Sequence, residues 1–326
     1  MTAPTFLDAA AVRRLLSPLE AVEAITHALR SGVDPAATPT RQTVTTRAGQ
    51  LLLMPAAAPD AVGVKLVSVA PGNAGRGLPR IQGVYVLLDA DTLAPVAVLD
   101  GAALTTLRTP AVSVAAVRSV LPASRPVRVV VFGAGPQAVG HLSTLAAVLE
   151  ADGPRPADAP LSLLDVDMVV RAPAAAAVPA TSGATVRVLR AGSPAARRAL
   201  EDAQLVVCAT TSHEPLFPAQ DLRPDAVVVA VGAHDPTALE VEPALAGRAR
   251  VVVEDPATAL REAGVVRAAV GAGLLGPEAL VPMAHVVTSA SAPVEGPVLF
   301  VSVGMAWEDL AVASAVQAKA LGQGPG

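Results

Sequence analysis

The feature that most limits what this chain can fold into is Gly133-Ala134-Gly135-Pro136-Gln137-Ala138, placed directly after the unbroken apolar run Val127–Phe132. A short run without polar alternation reads as a strand covered on both faces, as in a parallel sheet. The first glycine permits a tight turn, and the second lets backbone approach a pyrophosphate. Ala138 lets the following helix pack closely on the strand. That helix, predicted through Leu149, offers N–H groups and a positive dipole end to phosphate. Gly133, Gly135, Pro136, Gln137 and Ala138 are therefore candidate cofactor-binding residues. The bare glycine pattern is weak; strand, turn and helix in that order make it specific. Its competitor is a tight glycine turn without ligand.

The chain on either side has two textures. Downstream, strands are expected at Leu161–Leu164, Leu205–Ala209, Ala226–Val231, Arg250–Val253 and His285–Thr288, with helices between several of them. Such alternation predicts a Rossmann-type, doubly wound parallel sheet over 121–291. Upstream, Asp8 caps a short helix, and Ser17-Pro18-Leu19-Glu20 reads as a capping box opening a second one. Short β-rich runs follow at Leu51–Met54, Val62–Val69, Ile81–Leu88 and Pro95–Leu99, with a hairpin turn at Asp89–Thr92. A helix from about Ala102 to Val120 closes this part, and a helix over Trp307–Leu321 returns to it. The expectation is an α/β chain in two domains, 1–120 with 292–326 and 121–291.

Composition narrows the function classes. At 326 residues the chain suits two domains. With 52% hydrophobic but only 2% aromatic residues, the core must be aliphatic. A net charge of −4 without a basic run argues against nucleic acid. No apolar run has the length of a membrane helix, and Met1–Phe6 lacks the pattern of a signal peptide. Cys208 is the only cysteine, which excludes a disulfide framework, and an inert core thiol is its default reading. His27, His141, His213, His234 and His285 show no metal-ligand spacing, and His141 reads as structural. No metal is expected, and a cytoplasmic location is.

Only Lys65 and Lys319 are lysines among 24 basic residues. A lysine kept inside the apolar run Val62–Val69 attracts attention, because period two sets it in a row with Gly63 and Val67. Snorkelling from a sheet edge is the bland reading. Arg108 interrupts an apolar helix and must be paired or face a ligand; Arg41 precedes the strands and could be merely solvated. Three cations from separate elements could converge on one carboxylate. Asp165, read as the end of the second sheet strand, could bind the adenosine ribose and favour NADH over NADPH; Asp167 competes for that role.

Further stretches carry a resemblance. Lys65-Leu66-Val67-Ser68-Val69 with Pro71-Gly72-Asn73, then Gly77-Leu78-Pro79-Arg80-Ile81-Gln82-Gly83, Leu107-Arg108-Thr109, the glycine turn, and Ser302-Val303-Gly304-Met305-Ala306 resemble the ornithine cyclodeaminase/mu-crystallin family. The likeness covers nearly the whole chain. It implies a Rossmann domain using NADH or NADPH, and a substrate and dimerisation domain (α+β) formed from both chain ends, giving a homodimer. Leu78-Pro79-x-Ile81-Gln82-Gly83 and Leu99-Asp100-Gly101-Ala102 look most like its ketimine reductase branch, which reduces Δ1-pyrroline-2-carboxylate and Δ1-piperideine-2-carboxylate. By resemblance Arg41, Lys65 and Arg108 hold the substrate carboxylate, with Lys65 also catalytic and Arg108 also near the cofactor. Thr210, Val231, Gly232 and Val303 would line the cofactor. The chain departs from the family at Arg80 and Val301, and two residues past the strand-end glycine, where cyclodeaminases place an acid, it has His234, with Asp235 one place later. Imine reduction is the first expectation. Cyclodeamination of ornithine or lysine, amino-acid dehydrogenation and binding without turnover are its rivals.

Overall fold

The computed structural model describes residues 3–123, 126–153, 162–173, 183–232, 236–289 and 295–322. In chain order they form β1 (Thr5–Leu7), α1 (Ala9–Leu15), α2 (Pro18–Arg30), β2 (Gln42–Thr46), β3 (Gly49–Ala57), β4 (Ala61–Val69), β5 (Ile81–Asp89), β6 (Pro95–Asp100) and α3 (Gly101–Val117). Next come β7 (Val127–Phe132), α4 (Pro136–Ala151), β8 (Leu164–Val170), β9 (Ala184–Arg190), α5 (Pro194–Asp202), β10 (Leu205–Cys208) and β11 (Val227–Ala230). The last part holds α6 (Pro243–Ala246), β12 (Arg250–Val253), α7 (Pro256–Glu262), α8 (Gly264–Gly271), β13 (Val281–Pro282), α9 (Met283–Thr288), β14 (Val298–Val301) and α10 (Ala306–Ala320). Two units result, Met1–Val112 with Met305–Gly326, and Ser113–Gly304.

The first unit is a six-stranded sheet, ordered β1-β6-β5-β4-β3-β2, antiparallel except for β1 beside β6. Its local signals behave as read. Asp8 accepts from Ala11 N at 2.7 Å, and the Ser17/Glu20 capping box forms at the start of α2. Asp89 takes the N–H of Thr92 at 2.8 Å and closes the hairpin between β5 and β6. Along β4, Ala61, Gly63, Lys65 and Val67 face inward by strict alternation. Gly63 is required by its neighbour: a Cβ there would lie 2.2 Å from Tyr85 Oη. Helix α10 packs on α2 and across β3 and β4, so the chain's end completes the core that its beginning starts.

The second unit is an eight-stranded parallel sheet, ordered β13-β12-β14-β11-β10-β7-β8-β9. The order reverses between β7 and β10, where doubly wound sheets hold their ligands. β10, β11 and all but the first residue of β12 are buried, as unbroken apolar runs require.

Three expectations are corrected here. His285–Thr288 lies in helix α9, not a strand: Pro282 ends β13 because it has no N–H for the ladder, and the chain then coils. β14, expected with the first domain, is hydrogen-bonded between β11 and β12 in this sheet. The second strand begins where it was expected to end. Asp165 is thus the second residue of β8, opposite Arg128 of β7, at the strand's N-terminal end. Asp167 sits mid-strand, its buried carboxylate satisfied by the Arg187 guanidinium of β9 at 2.9 and 2.8 Å. A partner on the neighbouring strand is what allows an acid inside this ladder.

Candidate functional site

The C-terminal edge of the parallel sheet is level. Phe132, Cys208, Ala230 and Val301 are register partners across β7, β10, β11 and β14. The residues that follow them are Gly133, Ala209-Thr210, Val231-Gly232 and Ser302-Val303, so the expected cofactor-lining residues come together on one edge. Gly133 has φ +108°, and a Cβ on it would lie 2.5 Å from the Ala209 carbonyl oxygen. Gly135 by contrast faces open space and caps α4 without a side chain over the first turn. Ala138, in the first turn of α4, is fully buried. A closed first glycine, an open second and a bare helix N-terminus suit a dinucleotide's phosphates.

Two buried carboxylates tie these strand ends together. Glu240 accepts from Thr210 N, Thr210 Oγ1 and Gly232 N, each at 2.7 Å. A Cβ at Gly232 would collide with that carboxylate and with the Thr210 carbonyl. Glu254 accepts from Ser302 Oγ at 2.7 Å, Val303 N at 3.1 Å and Gly304 N at 2.9 Å. The sequence reading missed both acids. Glu254 closing the run Val251-Val252-Val253 was a visible signal; Glu240 in its loop offered none.

Burial pushes the Glu240 carboxyl up to about 7, against the hydrogen bonds from Thr210 and the Gly232 backbone that pull it down. An unfolded glutamate titrates near 4.5. Between those values the folded chain holds a proton that the unfolded chain releases. The stability from this group is therefore full at low pH and is lost as pH rises toward 7, by about 3 kcal/mol in all. Glu240→Gln is expected to flatten that slope in urea unfolding measured between pH 5 and 8. An unchanged slope would remove Glu240 from this role.

In the first unit, Lys65 and Arg108 meet through acids at the start of α10. Lys65 Nζ lies 2.7 Å from Asp309 Oδ2 and 3.4 Å from Thr105 Oγ1. Arg108 donates to Glu308 Oε2 at 2.6 Å and to Asp309 Oδ1 at 3.3 Å. Lys65, Arg108, Glu308 and Asp309 are all buried. The two cations were expected to wait for a substrate carboxylate; each already holds an internal one. Burial pulls the Lys65 ammonium down to about 8, opposed by Asp309, which holds it up. Among the described residues its hydrogen bond runs to Thr105 Oγ1, while Asp309 Oδ2 meets it as an ion pair and accepts no hydrogen bond. Snorkelling is thus excluded for Lys65. Lys319 instead pairs with Glu20 near the surface at 2.7 Å. Arg41 stands just before β2, two strands across the sheet from β4.

Cys208 is buried, and burial pushes its thiol well above the usual range, as an inert core residue requires. His141 lies between the Gln137 carbonyl oxygen (2.7 Å) and Ser113 Oγ (3.0 Å), and burial pulls it down to about 4, so it is neutral and structural. His234 and Asp235 lie outside the described residues. Among the described residues no helix is long and apolar enough to cross a membrane, and no group of three His, Cys, Asp or Glu could hold a metal.

The profile of the ornithine cyclodeaminase/mu-crystallin family matches residues 3–324. The chain belongs to that family. It is similar to a Δ1-pyrroline-2-carboxylate reductase of Burkholderia ambifaria, 34% identical over 311 residues, which are 94% of this chain and 93% of the relative. Its fold is similar to the Δ1-pyrroline-2-carboxylate reductase of Thermococcus litoralis solved with NADH and L-proline, with TM-score 0.79, 23% identity and 99% of each chain covered. It is also similar to a probable ornithine cyclodeaminase of Bordetella pertussis, with TM-score 0.78, 27% identity, and 99% of this chain and 100% of that one covered.

Proposed function

We propose that the protein reduces a cyclic 2-imino acid of the Δ1-pyrroline-2-carboxylate or Δ1-piperideine-2-carboxylate type to the cyclic amino acid, using NADH or NADPH. The observation that carries this reading is the buried Lys65 ammonium, ion-paired with Asp309, in a family chain that also keeps a dinucleotide edge. The backbone of the Gly133–Ala138 turn holds the dinucleotide phosphates, and Thr210, Val231, Gly232 and Val303 line the rest. When bound, the reduced dinucleotide supplies a hydride.

The protein's own residues do the remainder. An imine accepts hydride better once its nitrogen is protonated, and Lys65 is a proton donor poised near neutral pH. Asp309 and Glu308 fix Lys65 and Arg108 in place before substrate arrives, so little side-chain entropy is lost when the two cations attract the substrate carboxylate. Arg41 adds a third cation from the loop before β2. We also propose a homodimer formed through the first unit. In its support, β2 ends the sheet with all five residues exposed, an edge suited to covering by a second copy.

The cyclodeaminase alternative needs a proton-moving group at His234 or Asp235. A histidine presents a different reach and charge from the acid that cyclodeaminases carry there. Incubation with the two imines and NADH or NADPH is expected to consume the reduced cofactor and yield proline or pipecolate. Incubation with ornithine or lysine and the oxidised cofactor is expected to release no appreciable ammonia. Robust ammonia release with proline or pipecolate formation would overturn the reductase reading.

A further inference from the structure

We infer that this chain selects NADPH over NADH, through Arg171 and Arg190 at the ends of β8 and β9. The inference rests on the proposed use of a nicotinamide dinucleotide and reverses the preference expected from Asp165.

The register of β7 and β8 decides which residue meets the ribose. Phe132 pairs with Val169, and Gly133 N donates to the Val169 carbonyl at 3.1 Å. The residue of β8 that comes level with the first glycine is therefore Val170. In a dinucleotide-binding sheet this is where a carboxylate accepts hydrogen bonds from the adenosine ribose and repels a 2′-phosphate. Valine does neither. The two acids of β8 are Asp165 and Asp167, set back toward the start of the strand at ~3.3 Å per residue. Asp167 is moreover spent on Arg187 in a bidentate pair.

Positive charge takes the carboxylate's place. Arg171 follows Val170 directly and is exposed. Arg190 is the register partner of Val170 on β9 and is exposed as well. Ala191 N donates to the Val170 carbonyl at 2.9 Å, which holds the two strand ends side by side. Two exposed arginines thus stand at the one strand end that the ribose of a bound dinucleotide would reach. A planar guanidinium matches a phosphate monoester in shape and charge, and does so better than any neutral hydroxyl. A solvated pair of arginines is the bland alternative, and it predicts no discrimination between the two cofactors.

The test separates binding from turnover. Calorimetric titration with NADPH, NADH, ADP-ribose and 2′-phospho-ADP-ribose is expected to give tighter binding for each 2′-phosphorylated ligand, by about 10- to 100-fold. The advantage should shrink with added salt. Arg171→Ser with Arg190→Ser should remove it while leaving the affinity for NADH within about threefold and the melting temperature unchanged, since both side chains are exposed. Adding Val170→Asp should turn the preference toward NADH. Equal or tighter binding of NADH by the wild type would overturn the inference, as would a preference that survives the double substitution, or no binding of either dinucleotide. If the 2′-phosphate preference holds but no imine is reduced, the proposed substrate fails and the selectivity stands.

Discussion

Lys65→Met is expected to lower turnover by about 10²–10⁴-fold, the range in which a positioned proton donor acts. It will also destabilise the fold, which the sequence alone did not suggest. Lys65 is only 2% exposed and pairs with Asp309, which is wholly buried. Methionine fills the lysine's volume but leaves Asp309 with Arg108 alone. Breaking a buried pair by removing one partner costs about 3–5 kcal/mol. A loss of activity in this variant would therefore be ambiguous by itself. Asp309→Asn on top of Lys65→Met removes the stranded charge, and the double variant should recover most of the melting temperature while staying inactive. Asp309→Asn alone should move the alkaline limb of the kcat profile to lower pH, because burial and Arg108 then act on Lys65 with only Glu308 to oppose them. Near-normal turnover in Lys65→Met, or activity returning in the double variant, would remove Lys65 from the chemistry.

The two glycines of the phosphate turn should fail in opposite ways. Gly133→Ala forces a side chain into φ +108° and toward a carbonyl 2.5 Å away. Strain and overpacking cost about 1–3 kcal/mol each, so the variant should melt early whether or not a cofactor is added. Gly135 sits at φ −80° with open space before it, a conformation alanine adopts freely. Gly135→Ala should cost no more than about 1 kcal/mol of stability, as a poorer N-cap. Its dinucleotide affinity should nonetheless fall steeply, because the added methyl stands where the pyrophosphate approaches. Thermal melts with direct binding titrations read both effects. A stable Gly133→Ala protein, or a Gly135→Ala protein that binds normally, would contradict the assignment of the turn.

What the sequence determined was carried by neighbours in the chain. The glycine turn after an apolar strand, the Asp8 cap, the Ser17 capping box, the Asp89 hairpin and the alternation that turns Lys65 inward all depend on residues within a few positions of one another. Short-range geometry of this kind is legible because backbone sterics and hydrogen-bond spacing set it. Only the tertiary structure decided the rest. The partners of Lys65 and Arg108 lie on α10, 200 residues or more along the chain. Glu254 reaches Ser302 across two strands adjacent only in the folded sheet. Asp165 was misplaced for the same reason. Leu164, Val166 and Met168 alternate with Asp165 and Asp167, but apolar residues continue on both sides and leave the strand's limits unmarked, so pairing with β7 and β9 sets them instead. That pairing moves Asp165 to the far end of β8 and leaves Val170 and Arg171 beside the glycine turn, because a parallel register is settled by inter-strand hydrogen bonds and burial that no local pattern encodes.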